Sequence, residues 1–149
     1  MTNSKQLYSN EAEVEGVVRG FEDCQTRPEN FTHAAHLTVA LWYLRQSGMS
    51  EATTKMRAHL LRFINHYKEQ GYNETITIFW LRVVQSFMKA VPAAGEEGMK
   101  GRSVTEMANE LTASYNDSRL IYDYYSKELL STQTAKADFV EPDLRPLDF

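Results

Sequence analysis

Asn73–Val91 reads NETITIFWLRVVQSFMKAV, and the fold turns on whether this run is a strand or a helix. The β-branched cluster Thr75, Ile76, Thr77, Ile78 favours a strand, where branched side chains pack well on a pleated surface. Two features oppose that reading. Ile76, Trp80, Val83 and Phe87 recur at helical spacing and form one apolar stripe. The run is also too long for an ordinary strand, whereas a helix of this length is common. Asn73 can accept a backbone N–H of the first turn, and Glu74 just inside favours the positive end of the helix dipole. A helix is therefore expected, ending before Pro92.

The rest of the chain follows the same period. Ser9 or Asn10 can cap a first helix through about Cys24, with Val14, Val17, Val18 and Phe21 on its apolar side. QTRPEN interrupts it, because the residue before Pro28 is pushed away from helical geometry. A second helix is expected over about Thr32–Gln46. Ser50 is the expected cap of a third, which would stop near Gly71. Ser103 and Glu106 in SVTE match a capping box and open a fifth helix ending near Tyr115. NDSRLIYDYYSKELL and TQTAKADF read as shorter helices. Residues 91–101 hold three glycines and are expected to form a flexible loop. The tail, residues 139–149, carries two prolines and is expected to lie extended across the bundle. The expectation is all-α: residues 1–149 as one helical bundle of about five to seven helices.

Composition narrows the function classes. The chain has 149 residues, 42% hydrophobic and 24% charged, enough for a substantial core. Sixteen basic against 20 acidic residues give a net charge of −4 without a Lys/Arg cluster, so neither nucleic acid nor a membrane surface is an expected partner. Cys24 is the single cysteine, which excludes an intramolecular disulfide and a cysteine-based zinc site. No secretory h-region or membrane-spanning run is apparent, and a cytoplasmic setting is expected. Phosphate loops, nucleophile elbows and zinc-protease motifs are not seen.

Chemistry concentrates in two places. In FTHAAHLTVALWYL, residues 31–44, His33 and His36 fall on one side of a helix with Leu37, Ala40, Leu41 and Leu44. Two imidazoles at this spacing can converge on one metal ion. Equally, each can donate to a carbonyl in the core. In GYNETIT, residues 71–77, Glu74 shares a face with Thr77, Ile78 and Leu81 and could act as ligand or general base. Capping alone would also explain Asn73 and Glu74. His59 and His66 flank the stripe Met56, Leu60, Phe63 and Tyr67, and boundary histidines are the expected reading. Tyr122, Tyr124 and Tyr125 are expected to pack in the core and bond through their hydroxyls.

FTHAAHLTVALWYL, GYNETITIFWL, YYSKELL and VEPDLRPL, taken in that order, resemble a family of small uncharacterised bacterial all-α proteins. There the second motif commonly reads G-Y-H-E-T-[IL]-T. The resemblance implies motif roles for His33, His36, Tyr72, Glu74 and Thr75, with Asn73 where the family commonly has histidine. The implied constellation is a metal or proton-transfer site. His33, His36 and Glu74 would be ligands for a divalent transition metal, Glu74 a catalytic group, and Tyr72, Asn73 and Thr75 ligand-binding residues.

Two functional readings follow. One is a His/Glu pocket that binds a divalent metal or a small ligand. The other is a non-enzymatic interaction module, such as a homodimer joined through the apolar second and fourth helices.

Overall fold

A computed structural model describes residues 6–90 and 102–149. The loop expected over 91–101 lies outside the described residues. Seven α-helices are described: α1 (Glu11–Glu22), α2 (His33–Gln46), α3 (Met49–His66), α4 (Glu74–Ala90), α5 (Val104–Ser114), α6 (Lys127–Leu130) and α7 (Gln133–Ala137). Short 3-10 turns occupy Pro28–Asn30 and Ser118–Asp123, and no strand occurs among the described residues. None of these helices is long and apolar enough to cross a membrane.

Local sequence explains most of the boundaries. Asn10 Oδ1 accepts the Glu13 N–H and starts α1, and Thr32 Oγ1 does the same for Ala35 in α2. Ser103 and Glu106 form the reciprocal capping box at α5. Helix α3 departs from expectation at both ends. Its N-cap is Gly48, which supplies no side-chain bond, so Ser50 lies inside the helix. It stops at His66, short of Gly71, because Lys68 turns left-handed at φ 56°. The Glu69 N–H then reaches back to the Ile64 carbonyl at 2.9 Å, satisfying a carbonyl the helix would leave open.

Helix α2 is the axis of the core. Nine of its residues, Ala35 and Leu37–Leu44, are buried, and α1, α3, α4 and α5 all pack against it. A helix that is apolar nearly all round needs cover on several sides, and this one finds it within its own chain. Helix α4 is covered on two sides. Leu81, Val84 and Met88 join the main core with α2, whereas Phe79 and Val83 join a second cluster with Ile121, Tyr124, Tyr125 and Leu130. Trp80 packs against both.

The segment 139–149 has no helix and straps the second cluster, as its prolines predict. Tyr125 Oη donates to the Val140 carbonyl at 2.6 Å, the Leu144 N–H donates to the Tyr124 carbonyl, and Phe149 packs edge-on against Phe79 and Tyr124. Tyr122 differs from its two neighbours: it lies 40% exposed, beneath the Lys127 ammonium.

Candidate functional site

GYNETIT forms the entry to α4. Gly71 takes φ 107°, a conformation that side chains other than glycine's resist, and it turns the chain into the helix. Asn73 is buried. Its Oδ1 accepts the Ile76 N–H as the helix cap, and its Nδ2 donates 2.8 Å to the Leu130 carbonyl at the end of α6. Thr75 is completely buried. Its hydroxyl donates to the Ala135 carbonyl at 2.7 Å, lies 3.0 Å from the Asp138 carbonyl, and accepts the Val140 N–H at 3.2 Å. Asn73 and Thr75, expected beside a ligand, therefore spend their polar atoms tying α4 to the C-terminal segment.

Glu74 is turned the other way, toward α3. Arg57 grips it with two parallel bonds, Nε to Oε1 at 3.0 Å and Nη2 to Oε2 at 2.6 Å. Tyr72 Oη adds a third bond to Oε1 at 2.5 Å. The Arg57 guanidinium, and next the Tyr72 hydroxyl, hold the Glu74 carboxyl below its usual range despite its burial. Burial and the adjoining carboxylate push the Tyr72 phenol up to about 12. Glu74 is thus ionised with both oxygens occupied. Such a carboxylate is a weak base near neutral pH and a poor metal ligand without losing Arg57.

The two histidines of α2 have different surroundings. His33 Nε2 donates 2.9 Å to the Tyr115 carbonyl just past α5. Its ring meets Trp80 edge-on with centroids 4.5 Å apart. Burial lowers its pKa, opposed by the Tyr115 carbonyl and by Asp117. His36 stacks obliquely on Phe31, again at 4.5 Å. His36 is half-buried, and among the described residues its ring nitrogens have no protein hydrogen-bond partner, although no fully enclosed side-chain nitrogen or oxygen is left unpaired. These nitrogens therefore open onto space that solvent or a ligand can reach.

That space is a cavity of about 40 Å³ between three helices. Its walls are His36 and Ala40 from α2, Met56 and Leu60 from α3, and Ile76, Thr77, Trp80 and Leu81 from α4. The Thr77 hydroxyl donates to the Asn73 carbonyl. His36, Thr77 and Trp80 are the lining residues that carry polar side-chain atoms. Burial, reinforced by the neighbouring His33, pulls the His36 pKa down to about 4. The ring is neutral at pH 7 and presents one N–H and one lone pair.

The helices thus bring His36 to a cavity and leave its expected partners engaged elsewhere. Among the described residues, no three His, Cys, Asp or Glu side chains gather closely enough to hold one metal ion. The set His33, His36 and Glu74 does not fit a metal centre among the described residues. His59 and His66 stay apart from it. His59 lies between the Phe21 and Tyr43 rings, 3.9 Å from Glu22, and His66 packs on Tyr67.

Sequence reasoning missed Arg57, which carries no signal in its own helix, since its partner lies 17 residues on in another one. It also missed Thr77 and Trp80 as cavity walls. Trp80 was visible as an apolar stripe member, but periodicity does not distinguish packed core from the wall of a cavity. Compared with family models, curated proteins and solved structures, the chain gives no match.

Proposed function

We propose that the cleft between α2, α3 and α4 is a small-ligand site centred on His36. One observation carries the reading: an imidazole without a protein hydrogen-bond partner borders a cavity whose other walls are mostly apolar. Ring nitrogens that no protein group claims, opening onto a mostly apolar cleft, are free to bond whatever small polar molecule enters, water included. Asn73, Glu74 and Thr75 are consumed by the fold, which leaves His36 as the titratable group of the cleft.

NMR fragment screening of isotope-labelled protein tests this. Binding should move the His36 ring signals and the methyl signals of Leu60, Ile76 and Leu81, and His36→Leu or a cavity-filling Ala40→Val should weaken it. Hits that leave those signals in place and bind both variants normally would refute the proposal.

A divalent metal has less support, because Glu74 would first have to leave Arg57 and Tyr72. Elemental analysis of untagged protein purified without chelator, alongside His36→Ala, decides it: metal-free protein is expected. A homodimer joined through α2 also lacks support, since α1, α3, α4 and α5 of the same chain already cover that helix.

A further inference from the structure

The chemistry of the same cleft narrows the ligand class. This step rests on the pocket reading above. We infer that the ligand is a small uncharged molecule carrying one hydrogen-bonding group on a short apolar body.

Size comes first. A cavity of about 40 Å³ holds the equivalent of about three waters, at about 10–15 Å³ each. A molecule of about three to five non-hydrogen atoms fills it without moving the helices. Charge comes second. Arg57, next to the lining residue Met56 in the chain, and Glu74, on the same helix as Thr77, neutralise each other through paired bonds. The Tyr72 hydroxyl is spent on the same carboxylate. None of the lining residues carries a charge at pH 7, so an ion entering the cleft meets no opposite charge in its walls, and an ion that loses its water without one is strongly disfavoured.

Polarity comes last. The neutral His36 ring donates from one nitrogen and accepts at the other, and the lining residues Thr77 and Trp80 add a hydroxyl and an indole N–H. A hydroxyl or carboxamide, which donates and accepts at once, matches this set. The Trp80, Leu60 and Leu81 side chains then enclose the alkyl part.

Two isosteric pairs test the class: propionamide against propionate, and propan-1-ol against n-propylammonium, each titrated at pH 7 into methyl-labelled full-length protein. The neutral member of each pair is expected to shift the Leu60, Ile76 and Leu81 methyls and to bind at least about tenfold more tightly than its charged isostere. His36→Leu should erase the advantage of propionamide over a plain alkane. Equal or tighter binding of propionate or propylammonium, with the same methyls shifted, would overturn the uncharged class and leave the pocket standing. If none of the four probes moves those methyls, the pocket reading itself falls.

Discussion

Helix α4 has two polar faces, and they behave in opposite ways. On the face toward the C-terminal segment, Asn73 and Thr75 are buried and every polar atom meets a backbone group. On the face toward α2 and α3, Thr77 and Trp80 border a cavity where the His36 imidazole stays unpaired. Both faces come from one short motif. The first is a staple that holds secondary structure together, and the second is an opening. Whether a buried polar group is paired distinguishes architecture from recognition better than its residue type does.

The comparison can be broken most forcefully at the staple. Thr75→Val keeps the shape but leaves the Ala135 carbonyl and the Val140 N–H without their partner. The expected loss is about 2–3 kcal/mol in urea unfolding, and Asn73→Ala should cost about as much through its lost cap and lost tie to Leu130. If either variant unfolds like wild type, the staple is not holding the fold.

Acid should act next, through the opening. The folded-state pKa of His36, down to about 4, lies below the ordinary value near 6.5. The unfolded chain therefore binds the proton more readily. The stability that comes from keeping the ring neutral is complete above pH 6.5 and is lost as pH falls from there toward 4. His33, lowered in the same direction, adds to the slope. The expected loss is about 2 kcal/mol across that window, less than the full shift implies because water can enter the cavity. In His36→Phe the slope should flatten. The carboxylates work lower: Glu74, held down by Arg57, loses its contribution only as pH falls below the ordinary carboxylate range.

Arg57→Gln should have a smaller effect. The Arg57 side chain is 42% exposed, so solvent screens the pair, and a loss of about 1–2 kcal/mol is expected. The pKa of Glu74 should rise at the same time, as read by ¹³C NMR of its carboxyl. The smallest effect belongs to the cavity. Ala40→Val fills part of it and should change stability by less than about 1 kcal/mol while blocking ligand. A large destabilisation there would mean that the space is not available to be filled.

Much of the fold was legible because its determinants are local. The stripe of Ile76, Trp80, Val83 and Phe87 outweighed the β-branched cluster, and caps at Asn10, Asn73 and Ser103 fixed where three helices begin. The end of α3 was misjudged because its stop signal is Lys68 in a left-handed turn, not a glycine. The site was legible only in part. Spacing placed both histidines on the inward side of α2, but not the carbonyl that claims His33. The motif singled out Glu74, while the arginine that disarms it lies on another helix with no local mark. Pairings across helices depend on how the helices pack, and a single sequence does not display that.

Everything proposed for the cleft depends on His36 being a neutral imidazole with no protein partner at the cavity wall. A long-range ¹H–¹⁵N NMR titration of its ring nitrogens, from pH 7.5 to 3.5, is the measurement to make. A midpoint near 4, with small neutral probes shifting the same resonances at pH 7, is the predicted result. A midpoint near 6.5, unmoved by any probe, would place the ring in bulk water and contradict the claim.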